Sequence, residues 1–131
     1  ENTPDGCDIQ VQVHETGRKV ELVVHDQGIG LTEEAQKRIF EGFFTTQETL
    51  EYSSRQPFDF NTGGKGADLL RMKIFSEGYK FKISMTSTRC SRLPEISDTC
   101  PGNKERCQEK PGPACDGSTR VSVLFSPADD Q

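Results

Sequence analysis

The chain has 131 residues, a length that fits one domain. Its net charge of −5, from 16 basic and 21 acidic residues, excludes a general nucleic-acid binder, which needs a basic face. An apolar content of 31% and a mean hydropathy of −0.69 leave a thin core for this length, and no apolar run approaches the roughly 18 residues a membrane span needs.

Glu1 to Asp5 are polar and acidic, so no signal peptide is expected. Asp8-Ile9-Gln10-Val11-Gln12-Val13 alternates with period two and predicts a half-buried strand. Glu15-Thr16-Gly17-Arg18 predicts a hairpin turn, with Gly17 as the permissive residue. Val20-Glu21-Leu22-Val23-Val24-His25 is β-branched and predicts the antiparallel partner strand. Asp26-Gln27-Gly28-Ile29-Gly30 follows at its end.

Thr32 is a candidate N-cap, with Glu33 and Glu34 in the first turn and Lys37 and Arg38 in the last. This predicts a short helix over about residues 33–40. The stretch from Thr45 to Thr62 has no steady period and contains Ser53, Ser54, Pro57 and Asn61. A loop this long predicts a mobile lid over about 45–65. Gly63-Gly64-Lys65-Gly66 opens a second helix, to about Glu77, in which Ala67, Leu70 and Ile74 fall at helical spacing and Gly78 acts as the stop. Residues 80–86 alternate as a strand, and 120–125 form the last one. Between them lies an insertion over 90–117, rich in Cys, Pro and Gly.

The two glycine stretches suit a nucleotide. A strand-end carboxylate such as Asp26 accepts from the exocyclic amine of adenine, and Gly28 and Gly30 let the backbone pass close to the base. The competing explanation is turn chemistry alone, since Asp and Gly also favour a strand-to-helix turn. At the second stretch, N–H groups of a helix start make an anion site, and Lys65 adds a point charge. The spacing is not that of a P-loop, and a lid hinge is the competing explanation. Phe40, Phe43 and Phe44 favour packing at the foot of the lid. His14 and His25 have no triad around them.

The ordered set is more specific than its parts. Val23 to Gly30 resembles the first glycine box of histidine-kinase catalytic domains. Lys37-Arg38-Ile39-Phe40-Glu41-Gly42-Phe43-Phe44-Thr45-Thr46 resembles their phenylalanine box, and Gly63 to Leu69 resembles their second glycine box. The resemblance covers about Asp8 to Thr86 and resumes at Val121 to Pro127. It implies an α+β two-layer fold of the Bergerat ATPase type, with a mixed sheet and helices on one face. It implies ATP with Mg2+ as ligand, and adenine contact by Asp26, Gly28, Ile29 and Gly30. It places Phe43 beside that pocket, Gly63, Gly64, Lys65 and Gly66 near the phosphates, and Thr86 on a last strand approaching the adenine.

Three departures qualify what the resemblance implies. The family's asparagine-bearing helix should precede the first box, yet only about 25 residues precede Asp26 and they read as a hairpin. That helix supplies the magnesium ligand and usually a nearby acid or base, so no catalytic base is named. Asp68 stands where a glycine is usual. The phosphate-accepting histidine is also absent from these residues. The chain therefore reads as a partial domain, a fragment or a reduced relative of a sensor kinase. In the intact parent, it would transfer the γ-phosphoryl group of ATP to a histidine on a dimerisation domain and so act on a response regulator. The resemblance implies a cytoplasmic domain of a parent that can be membrane-anchored, with no nucleic-acid or membrane contact of its own. The sheet face left bare invites a homodimer. The alternatives are an inactive relative serving interaction or ligand sensing, or a metal or redox sensor built on the cysteines.

Five cysteines are present, an odd count that argues against a fully paired secreted framework. Cys90, Cys100, Cys107 and Cys115 lie in the insertion, which has too few apolar residues for its own core and therefore calls for a cross-link or a metal. Four thiolates suit Zn2+ or an iron–sulfur cluster, although no CxxC spacing occurs. A metal ranks first, two disulfides second and unliganded thiols third. Cys7 is expected to stand apart.

Overall fold

The computed structural model describes residues 3–40, 68–95, 98–108, 111–112 and 114–127. The phenylalanine box beyond Phe40, the expected lid, and Gly63, Gly64, Lys65 and Gly66 lie outside them, as does the side chain of Asp68. In chain order the elements are β1 (Ile9–Thr16), β2 (Lys19–Asp26), α1 (Glu33–Arg38), α2 (Asp68–Gly78), β3 (Lys82–Thr88), α3 (Lys104–Gln108) and β4 (Ser118–Phe125). The fold is α+β, an antiparallel sheet with few helices.

β1 and β2 form the expected hairpin, with Thr16 opposite Lys19 across a two-residue turn. Gly17 takes φ +63° at the first central position, the conformation that such a turn reserves for glycine. β4 then inserts between β2 and β3, giving the order β1-β2-β4-β3. All pairings among the described strands are antiparallel, whereas a mixed sheet was expected.

Cross-strand partners share a face, so the register fixes what each row presents. One face carries Val11, Val24, Val121 and Met85 in one row, and Val13, Leu22, Val123 and Ile83 in the next. The row at the end of β2 contains Ile9, Asp26, Thr119 and Ser87. Apolar rows therefore lead up to a polar end. Val23 and Val123, one on each face, are buried. Ile9, Val11 and Val13 of β1 stay exposed, so the outer end of the apolar face is bare.

α1 begins as expected. The Thr32 hydroxyl accepts from the Ala35 N–H at 3.2 Å, with acids first and bases last. Ala35 is fully buried. α2 packs beside β3. Its Lys73, Ser76 and Glu77 line a cavity of about 480 Å3 with Glu21, Ser84, Ser122 and Leu124 of the sheet.

The insertion differs from expectation in having a core. Cys90, Leu93 and Cys107 are three of the six buried apolar residues described. Cysteine packs as a small apolar side chain, so these thiols supply part of the interior that aliphatic residues would otherwise form. α3 was not foreseen either. The side-chain oxygen of Asn103 caps it, accepting from the N–H groups of Glu105 at 2.8 Å and Arg106 at 3.4 Å.

Candidate nucleotide-binding site

Asp26 is the last residue of β2 and is half-buried. Its Oδ1 accepts from the Gly28 N–H at 2.8 Å, so the side chain folds the loop that follows it. The turn role and the binding role are thus compatible in one carboxylate. Its second oxygen has no hydrogen bond among the described residues, leaving an acceptor at the polar end of the sheet.

That end is built from hydroxyls. Ser87 Oγ lies 2.9 Å from Thr119 Oγ1, accepts from the Leu31 N–H at 2.8 Å and donates to the Ser118 carbonyl at 2.9 Å. Ser87 and Thr119 sit level with Asp26 on the same face. Thr86 does not. It is exposed and pairs with Arg120, on the opposite face. The expectation for Thr86 is therefore corrected by one residue, because side chains alternate along a strand and a shift of one reverses the face. Thr119, at the start of β4, had no local signal.

The glycine box is clamped from behind. Gly30 takes φ +67°, and a Cβ there would fall 1.9 Å from the Thr88 carbonyl oxygen. Only glycine fits both constraints. The Cys90 N–H donates to the Ile29 carbonyl at 2.8 Å. Arg89 spreads its guanidinium over three carbonyls, those of Gly30 at 3.0 Å, Leu93 at 2.6 Å and Glu95 at 2.9 Å. From the other side Gly117 presses in. A Cβ there would meet the Gly28 carbonyl oxygen at 2.6 Å and the Cys90 nitrogen at 2.9 Å. Gln36 of α1 closes the arrangement: its amide accepts from the Ser87 N–H at 3.2 Å and donates to the Ser87 carbonyl at 3.0 Å. It pairs with β3 as a neighbouring strand would. Arg89 and Gln36 were both missed in sequence, because their partners lie on other elements.

The first glycine stretch is thus assembled with Ser87 and Thr119 into one half-buried polar end. The expected phosphate side, Gly63 to Gly66, and Phe43 lie outside the described residues.

The cysteines converge behind the box. Cys90, Cys100, Cys107 and Cys115 line one small cavity of about 40 Å3, together with Gly28, Ile29 and Arg92. Among the described residues, however, no three His, Cys, Asp or Glu side chains are set to hold a metal ion, and all five cysteines are free thiols. Each sulfur has a different neighbour. Arg92 Nη1 donates to the Cys107 sulfur at 2.8 Å. The Gly102 N–H approaches the Cys100 sulfur at 3.4 Å. Beside Cys90, the Asp116 carboxylate accepts from the Ser91 N–H at 3.0 Å. The cation in this cavity is a guanidinium, which repels a second one. The described geometry gives the expected metal centre at Cys90, Cys100, Cys107 and Cys115 no support. Cys7 does not line this cavity. Burial, and then Asp116, push the Cys90 thiol up. Burial, and then the hydrogen bond and charge of Cys7, push Cys115 up to about 11.

Comparison with known proteins agrees with this geometry. The sequence profile of the family "Histidine kinase-, DNA gyrase B-, and HSP90-like ATPase" matches residues 1–126. The sensor-like histidine kinase SenX3 of Mycolicibacterium smegmatis is 27% identical over 110 residues, covering 79% of this chain and 27% of that protein. The chain thus spans about a quarter of this relative. The fold resembles the mycobacterial sensor histidine kinase MprB, with a TM-score of 0.56 and 16% identity, over 95% of this chain and 59% of the other. It also resembles the catalytic domain of the histidine kinase ThkA, with a TM-score of 0.53 and 17% identity, over 97% and 58%. The protein belongs to the family of histidine kinase-, DNA gyrase B- and HSP90-like ATPases.

Proposed function

We propose that Asp26 receives the adenine amine of ATP and that, in the intact parent, this domain delivers the γ-phosphoryl group to a histidine of a dimerisation domain, from which a response regulator is charged. The observation that carries the reading is the half-buried carboxylate of Asp26, with one oxygen fixed by the Gly28 N–H and the other lacking a hydrogen bond among the described residues, level with Ser87 and Thr119. The donor set fits a base: an acceptor for the amine, hydroxyls beside it, and a glycine backbone that the ring can approach. The work of such a domain is positioning, because phosphoryl transfer needs little covalent chemistry from the protein. Magnesium, when bound, neutralises charge at the phosphates. Among the described residues no three His, Cys, Asp or Glu side chains are grouped to hold a metal ion.

Calorimetric titration with ADP and Mg2+ tests the assignment. Asp26→Asn keeps an oxygen for the Gly28 N–H but loses the charge facing the amine. We expect affinity to fall about tenfold or more, the scale of a hydrogen bond to a charged group. Binding unchanged by the substitution would remove Asp26 from the site.

A further inference from the structure

The sheet has two edges, and they are finished differently. Gln36 occupies the β3 edge at Ser87. β1 is the other edge, and among the described residues nothing bonds its outer backbone groups. The segment before it is drawn away to the insertion: the Asp5 N–H donates to the Gly102 carbonyl, and the Asp5 carbonyl accepts from the Lys104 N–H, both at 2.9 Å. The Gln27 N–H donates to the Asp8 carbonyl at 3.0 Å, so Asp8 turns its backbone toward β2. Hydrogen bonding alternates along an antiparallel pair. Gln10, Gln12 and His14 therefore turn the same way, and Ile9, Val11 and Val13 present N–H and C=O groups to the open edge. The side chains of these three are 60%, 64% and 67% exposed. β1 carries no lysine, proline or bulge, the devices that protect a strand edge.

We infer that β1 pairs with β1 of a second copy of this chain, antiparallel about a two-fold axis at Val11. Val11 then faces Val11 of the second copy, Ile9 faces Val13, Gln10 faces Gln12, and Asp8 faces His14, a carboxylate opposite an imidazole. The facing pairs at residues 9, 11 and 13 each exchange two backbone hydrogen bonds, because these are the residues whose groups point outward. Parity and chemistry together select this register. A slip of one residue sets outward-turned groups against inward-turned ones and brings polar side chains onto the apolar face. A slip of two sets Glu15 against Ile9 in one direction and carries Val13 past the end of the facing strand in the other.

The pairing joins two four-stranded sheets into one continuous sheet. It sets the exposed Ile9, Val11 and Val13 of both copies side by side, on the face that also carries the exposed Val20 and Phe125, so the two bare apolar margins cover each other in part. The contact is isologous: the same strand serves both copies, and the assembly closes at two. A single strand pair buries less than the roughly 1,200 Å2 of a standard interface, so the dimer is weak.

The test is sedimentation velocity of the whole chain from about 50 µM to about 1 mM, with amide hydrogen exchange read by NMR at both ends of that range. The expected result is a monomer–dimer equilibrium in which the amides of Ile9, Val11 and Val13 exchange about threefold or more slower in the concentrated sample. Those of Gln10, Gln12 and His14, already bonded to β2, keep their rates. Val11→Lys and Val11→Glu each weaken association by about tenfold or more, because like charges meet at the axis, and an equimolar mixture of the two restores it. A monomer throughout the range, a dimer that leaves the three amides unchanged, or amides protected equally at every concentration by another part of the chain would each overturn it. The exchange pattern of the unsubstituted chain decides the matter if a variant fails to fold.

Discussion

At the residue scale, the Asp26 carboxylate serves the fold, and in the proposed function it also serves the ligand. Oδ1 shapes the loop through the Gly28 N–H, and the other oxygen has no hydrogen bond among the described residues. The box was readable in sequence because its chemistry is local: an acid ending a strand and glycines where the backbone must turn. Gly30 shows how tight the requirement is. Gly30→Ala puts a methyl group against the Thr88 carbonyl and forces a residue with a side chain into positive φ. We predict a loss of at least about 3 kcal/mol in urea unfolding, since backbone cannot yield as a side-chain tip does. Thr86 was misplaced for a different physical reason. Which residue of β3 faces Asp26 depends on pairing through β4, and that register is not local. Cys115 adds a pH dependence. Its folded-state pKa is raised from 9.0 to about 11, so the folded state holds the proton more tightly than the unfolded chain. The stability from this group is intact below pH 9 and is lost as pH climbs from 9 to 11. Thermal melts across that interval should show the decline, and Cys7→Ser should reduce it.

At the element scale, the strands follow from period-two patterning, and α1 follows from its cap and charge gradient. The sequence reading places each end within about two residues, except that β1 runs past Val13 to Thr16, where pairing with β2 extends it. α3 escaped because five residues carry no helical period, and its anchor, Cys107, looks in sequence like a ligand and not a core residue. The docking of α1 rests on Gln36, which satisfies both backbone groups of Ser87 at the β3 edge. Gln36→Ala leaves that N–H and C=O to find water in a half-buried place. We predict a cost of about 1–3 kcal/mol. Gln36→Glu separates the two bonds, because it keeps the acceptor and loses the donor. An intermediate urea midpoint is expected, and a midpoint equal to that of the unsubstituted protein would show that the Ser87 carbonyl bond contributes nothing.

At the scale of the whole molecule, the site is a small polar end on a sheet whose apolar rows lie behind it. The insertion is its rear wall: Arg89, Cys90 and Gly117 all hold the backbone of residues 28–30. Composition showed the insertion to be poor in aliphatic residues. It did not show that cysteines would fill the interior, or that the segment before β1 would be pinned to it. Those facts depend on contacts between distant parts of the chain. The central claim is that Asp26 reads the amine of adenine, and the most direct measurement compares ADP with inosine diphosphate, in which a carbonyl replaces that amine. The account predicts inosine diphosphate about tenfold or more weaker than ADP, with Asp26→Asn narrowing the gap. Equal affinity for the two nucleotides would contradict it.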